Sequence, residues 1–329
     1  MGSSSTPSRA FAAAFTEQAG EAGVLTFADF MALALYHPEL GYYRKERARV
    51  GYGGGTDFYT ASSSGPVFGE MVAAACVTLL GGEPAAREHA FVEIGAEPGG
   101  GVLAGVTHPF AAARTVRVGE TPDIHGRCIV FSNELFDAQP LRRFVRRAAD
   151  WRELGVVLRD GALHEVELDP VLAPWLPAAA PEGYVFDAPR AAAGLATRLA
   201  AQPWSGLFLA FDYGKSLVEL ATATPAGTAR AYHQHTQSND LLARAGEQDL
   251  TGHICWDWLA ESLHAAGFTD AKVESQEAFF IHHAGGFLSA AMAAEAARTS
   301  QRKLAFLQLL HPSHMGQKFQ VLHARREKV

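Results

Sequence analysis

Cysteine is scarce in this 329-residue chain: Cys76, Cys128 and Cys255 are far apart and show no C-x-x-C spacing. That excludes a disulfide framework and a cysteine-built zinc site, and it suits a reducing compartment. Long apolar runs are also missing, and none approaches the roughly 18 residues that a membrane-spanning helix requires. The opening Met1 to Thr6 lacks the charged and apolar regions of a secretory signal, so a cytoplasmic location is expected. Basic charge is in deficit, with 28 Lys and Arg against 35 Asp and Glu. This argues against a nucleic-acid partner held by broad phosphate neutralisation. The one basic cluster, Arg142, Arg143, Arg146 and Arg147, would form a stripe if helical and reads as a solvated face. The glycine-rich stretch Gly95 to Gly101 carries no Walker-type Lys-Ser/Thr pair, which argues against a phosphate-bearing cofactor there, and no G-x-S-x-G elbow occurs, which removes the commonest serine-hydrolase reading. Several histidines are paired, as in His233 with His235, His282 with His283 and His311 with His314. Without acidic or cysteine partners at matching spacing they read as surface or core imidazoles, and no metal is expected.

What is present is a set of apolar strands that end in short polar groups. Ile129 to Phe131 runs into Ser132, Asn133, Glu134 and Asp137; Phe91 to Ile94 into Gly95, Ala96, Glu97, Gly99 and Gly100; Leu207 to Phe211 into Asp212. Ligands of open α/β sheets settle in the crevice beyond such strand ends. Helices are expected from Ser8 to Gly20, from a Thr26 cap to Tyr36, from Val67 to Leu80, around 102 to 114, after Asp137, from Pro189 to Gln202, over 256 to 266 and over 287 to 310. Further strands are expected at Thr115 to Val118, Lys272 to His282 and Phe319 to His323, with a hairpin over 151 to 168 turning at Asp160-Gly161. Residues 1–85 read as a helical and loop region covering the site. Residues 86–329 read as an α/β domain with an insertion at about 150–190.

Glu93, Gly95, Gly99 and Gly100 match an E-x-G-x-x-x-G-G nucleotide-type loop, although a tight strand-to-helix turn would look the same. S-adenosylmethionine suits these surroundings, because it bears a sulfonium cation and no phosphate, so acidic neighbours favour it. Glu120 sits where a carboxylate would accept ribose hydroxyls, or is a surface acid. Glu134 and Asp137 would share one helical face, as functional acids or as first-turn acids favoured by the helix dipole.

In order along the chain, Leu25 to Met31, Leu35 to Tyr43, Asp57 to Ala61 with Phe68 to Glu70, Val92 to Gly95, Asn133 to Pro140 (NELFDAQP), Asp212 to Gly214, Gly246 to Thr251 with His253, and Met315-Gly316 resemble the MidA-type family of class I S-adenosylmethionine-dependent methyltransferases. That family includes the mitochondrial complex I assembly arginine methyltransferase. The resemblance implies a Rossmann-like class I methyltransferase sheet with helices on both faces, an N-terminal helical extension and an inserted α+β subdomain. It also implies S-adenosyl-L-methionine as cofactor and a protein side chain, arginine in the characterised member, as acceptor; a homodimer is left open. Carried over by position, Glu93, Gly95 and Gly99 would border the methionine and ribose portions, and Asn133 with Glu134 would lie beside the cofactor and acceptor; Ala96 and Gly100 of the same loop, and Glu120 by its spacing from the glycines, complete the expected cofactor set. Asp57, Tyr59, Asp212, Asp249 and His253 would line the same cleft, with Asp57, Tyr59 and His253 toward the substrate; for an arginine acceptor, Glu134 and Asp137 are the candidates for alignment and Asp212 or Asp249 for taking up the proton. Two departures stand out. Glu97-Pro98 replaces part of the family's glycine loop, and the interval from Gly99 to Glu134 leaves room for only one helix and one clear strand. A fold that keeps its shape but serves as a catalytically silent assembly module is the competing reading, and a dinucleotide enzyme on a similar sheet is a third.

Overall fold

The computed structural model describes residues 6–45, 65–98, 100–296 and 300–327. Helix α1 (Arg9–Ala19) starts where the Ser8 hydroxyl accepts from the Phe11 amide at 3.2 Å, and it buries Phe11, Phe15 and Ala19. After the short strand β1 (Val24–Thr26), α2 (Phe27–Tyr36) begins at a Thr26 cap and stops at His37, before Pro38. Helix α3 (Pro66–Leu79) opens with proline at its first position, and the single turn α4 (Glu83–Ala86) leads into β2 (Ala90–Ile94). Strands β3 (Ala112–Val116) and β4 (Gly126–Asn133) follow.

The helix expected around 102 to 114 does not form. That stretch is a series of turns, broken by Gly101, Gly105 and Pro109, and its Ala-rich end becomes β3. A second correction falls after Asp137, where the chain enters strand β5 (Arg142–Arg147) instead of a helix. Strands β6 (Asp150–Arg159) and β7 (Ala162–Val171) make the expected hairpin, with Asp160 and Gly161 both at positive φ, and β8 (Val185–Ala188) adds to β5. The arginine cluster is thus part of a strand, and Arg142, Arg143 and Arg147 are paired with carboxylates while Arg146 lies over the Trp151 ring. Arg142 forks onto Glu153 at 2.7 and 2.6 Å, and buried Arg143 meets Asp187 at 2.9 Å. Together with β1, these strands form an antiparallel sheet inserted between β4 and β9.

The chain continues through α5 (Arg190–Ala200), β9 (Trp204–Asp212), β10 (Gly214–Lys215), α6 (Leu217–Thr222), β11 (Arg230–His233), β12 (Thr236–Ser238), β13 (Asp249–Thr251), β14 (Ile254–Cys255) and α7 (Trp256–Ala265). Gly267 at φ +84° ends α7. Strand β15 (Thr269–Ser275) is shorter than expected, because the Ser275 hydroxyl caps the next helix by accepting from the Ala278 amide. The apolar run Phe279 to His282, taken for strand, therefore belongs to α8 (Gln276–Ala294). Helix α9 (Gln301–Leu310) is a separate element, and β16 (Gln320–Arg326) closes the described fold.

The central sheet has six strands in the order β15-β16-β9-β4-β2-β3. β9, β4, β2 and β3 are parallel, and β16 runs antiparallel between β9 and β15. One face is covered by α5 and α7 over Val130, Phe208 and Leu322. The other is covered by α3, α8 and α9 over Phe131, Phe211 and Val321. Helices on both faces are as expected. The β2-to-β4 half carries no helix between its strands, so its crevice is walled by loops. A third apolar cluster joins α1 and α2 to Val156, Leu163 and Leu250, which docks the N-terminal helices on the inserted sheet. No helix among the described residues is long and apolar enough to cross a membrane.

Candidate active site

The parallel ladder aligns Glu93 with Phe131 and Ile94 with Ser132, so the ends of β2 and β4 open side by side. The loop after β2 is tied down at two points. The amides of Gly95 and Ala96 donate to the Val116 carbonyl at 2.8 and 3.3 Å, and the Glu93 carboxylate accepts from the Val102 amide at 2.6 Å. Burial raises the Glu93 carboxyl to about 7, against the lowering effect of that amide. Gly101 lies so close that a Cβ there would sit 2.4 Å from the Glu93 carboxylate and 2.6 Å from Thr115. Gly101→Ala is expected to cost roughly 1–3 kcal/mol of stability by overpacking, read as a lowered urea midpoint.

Gly95, at φ +82°, faces Leu135 of the neighbouring strand end, where a Cβ would meet a Leu135 methyl at 2.7 Å. Glu120 turns back and accepts from the Arg117 amide at 2.8 Å. Beside it, Arg44 reaches over from the N-terminal region and donates to the Val118 carbonyl at 3.0 Å.

At the end of β4, Asn133 donates to Glu134 at 3.1 Å, while Asn133 Oδ1 is buried with no partner among the described residues. Glu134 stands at φ +51°, which bends the chain out of the sheet and precludes the helix that would have put Glu134 and Asp137 on one face. The bend is held by Asp212. One of its oxygens accepts from the Phe136 and Asp137 amides at 2.9 and 3.3 Å, and the other from the Tyr213 amide at 2.9 Å. Asp212 is 0% exposed, so its contribution is to position the bend rather than to touch a ligand.

Asp137 is 4% exposed, lies beside the Tyr213 hydroxyl, and leaves its Oδ1 without a partner among the described residues. Desolvation pushes its carboxyl up to about 6. Asp212 is raised as well, by burial and by repulsion from Asp137 and Glu134. Asp249 accepts from Tyr43 at 2.9 Å; Tyr43 stacks on Tyr36, whose hydroxyl donates to the Ala138 carbonyl at 2.9 Å. Glu134, Asp137, Asp212 and Asp249 are therefore brought into one acidic network, laced with Tyr36 and Tyr43 from the N-terminal region and Tyr213 from the end of β9.

Next to this network lies a cavity of about 320 Å³ whose lining includes Tyr213, Lys215, Arg230, Tyr232, Thr251 and His253. His253 packs edge-on against Tyr213 at 5.6 Å between ring centres. Desolvation, then Lys215 and Arg230, lower its imidazole to about 4, so it is neutral at physiological pH. Asp57, Tyr59 and Gly99 lie outside the described residues. Sequence reasoning passed over Tyr36, Tyr43, Tyr213 and Thr251; the available signal was their place beside acids within the motifs already singled out.

The fit to a cationic donor follows from the donor set. The strand ends offer carboxylates and an orphaned amide oxygen, while Gly95 and Gly101 of the adjoining loop are packed against Leu135, Glu93 and Thr115.

Residues 110–273 match a family model described as "Putative S-adenosyl-L-methionine-dependent methyltransferase". Among solved structures, a protein from Burkholderia thailandensis solved bound to S-adenosyl-homocysteine superposes with a TM-score of 0.83 at 24% identity, over 96% of this chain and 92% of that one. A native structure of an uncharacterized protein from the same organism gives 0.78 at 23%, over 96% and 91%. At these identities the likenesses establish the fold. No curated protein matches the chain.

Proposed function

Given that the chain belongs to the S-adenosyl-L-methionine-dependent methyltransferase family, we propose that it transfers a methyl group to a protein side chain, arginine, at the junction of the β4 bend and the cavity beside Tyr213. The observation that carries this reading is Asp137. It is a buried carboxylate with an unpartnered oxygen, four residues past the end of β4, the strand whose neighbour β2 bears the glycine loop. When bound, the cofactor supplies an electrophilic methyl on a sulfonium. Glu93, Gly95, Ala96 and Gly100 would hold its methionine side, with Asn133 Oδ1 as an acceptor for one of its N–H or O–H groups.

Arginine stays protonated in water, so the acceptor nitrogen needs carboxylates both to orient the guanidinium and to take its proton as the new bond forms. Glu134, at the mouth of the bend, orients; Asp137 takes the proton. Lys215 and Arg230 suit carbonyl or carboxylate oxygens of the residues flanking the arginine. Orientation of this kind can supply roughly 7–11 kcal/mol of a barrier.

Titration calorimetry with S-adenosylmethionine and S-adenosylhomocysteine tests the cofactor. Saturable binding of both is expected, and no binding at millimolar ligand would overturn the reading. Because the Glu93 carboxyl titrates at about 7, the cation should bind about tenfold more tightly at pH 8 than at pH 6. Glu93→Gln should flatten that dependence. One observation favours the silent-module reading: the helix-free β2-to-β4 half, with Arg44 laid against the end of β3. Absence of binding together with an intact fold is its signature.

A further inference from the structure

Across the sheet from the candidate active site, on the face covered by α8, three imidazoles converge on one carboxylate. Glu274 on β15 lies opposite Val321 of β16, so it shares a face with His323, two residues further along β16. His323 Nε2 is 2.9 Å and His283 Nε2 is 3.1 Å from the same oxygen, Glu274 Oε2. His282 Nδ1 is 2.5 Å from the other oxygen, Oε1. The ligating atoms of Glu274, His283 and His323 all lie within 4.8 Å of one another.

We propose that Glu274, His283 and His323 form a binding site for a divalent transition metal of the zinc class, with His282 orienting the carboxylate from outside. Two ligand atoms held at about 2.0–2.1 Å from a tetrahedral ion stand roughly 3.3 Å apart. The 2.9 and 3.1 Å separations are within a few tenths of an ångström of that spacing. Two imidazoles and one carboxylate also form a donor set that zinc and its neighbours favour over calcium or magnesium. The ring of Phe279 packs against both ligand imidazoles, at 5.0 Å from His283 and 5.6 Å from His323, so one side of the site is apolar and sterically defined. Side-chain exposures of 17% for Glu274, 20% for His283 and 8% for His323 leave room for a water as fourth ligand. His282 is 59% exposed and bonds the oxygen turned away from the other two rings, the place of an outer partner that fixes a ligating carboxylate.

Such pairing was invisible in the sequence, where His282-His283 lacked an acidic partner at metal-ligand spacing. The partners come from 8 or 9 residues upstream and from 40 residues downstream, brought together by the β15–β16 ladder and by α8 folding back over it. His323 pairs with Leu209 in β9, three residues back from Asp212, or about 10 Å along the strand. An ion here would therefore pin α8 to the two outer strands rather than meet the acceptor.

The test uses the full, tag-free chain stripped with EDTA and titrated with zinc chloride alone. Expected are one ion per chain at micromolar affinity or tighter, a Tm rise on the order of 5 °C at a hundredfold excess over Kd, and, with cobalt(II), visible d–d absorption of a tetrahedral site. His282→Ala should weaken binding about tenfold. His283→Ala with His323→Ala should abolish it; if that pair perturbs the far-UV circular dichroism, His283→Gln, at a partly exposed position, carries the test. No saturable uptake by the native chain, or uptake retained by these variants through His233, His235, His311 or His314, would overturn the proposal.

Discussion

Asp137→Asn is expected to lower turnover by about 10²–10³-fold while leaving S-adenosylhomocysteine affinity within about twofold, and at pH 8 to make the protein more stable. The first half follows from the role of the buried carboxylate. General-base assistance contributes about 10²–10⁴-fold, and an amide cannot accept the proton that the proposed guanidinium acceptor would lose. The native enzyme should gain turnover as pH rises through about 6, where Asp137 ionises, and the variant should lack that limb. The second half follows from linkage. A carboxyl whose folded pKa lies above its unfolded value contributes stability that is present below the unfolded pKa and lost as pH rises through the folded one. With Asp137 moved from 3.8 to about 6, that loss is on the order of 2–3 kcal/mol. The asparagine avoids it and still offers an acceptor to the Tyr213 hydroxyl. Thermal melts at pH 5 and pH 8, set beside pH–rate profiles, check both halves. A residue with a purely structural part would lose stability and turnover together; opposite signs would mark a site that gives up stability for chemistry.

The positions of these acids were largely legible in the sequence, and their arrangement was not. Strands ending at Ile94, Asn133 and Asp212 declared themselves as apolar runs that break into polar groups, and the local rules also gave the Ser8 and Thr26 caps, the Gly267 stop and the Asp160-Gly161 hairpin. These are signals carried within a few residues. Misreadings occurred where a long-range partner overrode local propensity. Ala111 to Ala113 are good helix formers, yet Ala112–Val116 is recruited as an edge strand by β2. Phe279 to Ile281 have strand-forming side chains, yet Phe279 and Phe280 pack α8 against Phe211 and Phe68. The Glu134–Asp137 spacing suggested one helical face because nothing nearby revealed that Asp212, seventy-five residues from Asp137, would claim the Phe136 and Asp137 amides. Tyr36 and Tyr43 escaped notice for the same reason, since only the docking of α2 brings them to Asp249.

Asp212→Ala should be the most damaging single change in the fold of the site. The carboxylate is the sole acceptor shown for the Phe136 and Tyr213 amides and also serves that of Asp137, at 2.9, 2.9 and 3.3 Å. A buried amide left without a partner costs about 1–3 kcal/mol. Three of them, offset by relief of a buried charge beside Asp137 and by some water entry, give a net loss on the order of 3–5 kcal/mol, read as a drop in urea midpoint at constant m-value. Asp212→Asn separates charge from geometry. Its amide nitrogen must face either the pair of amides at Phe136 and Asp137 or the single one at Tyr213, so one oxygen's bonds are kept and the other's are lost. About half the loss is then expected if the oxygen stays with the pair. Turnover should fall in both variants even where the protein remains folded, because Glu134 at φ +51° depends on that anchored bend for its direction. If Asp212→Ala matched the native protein in both stability and turnover, the bend would have to be held by the packing of Phe136 and Leu135 alone, and the acidic network would not be organised around Asp212.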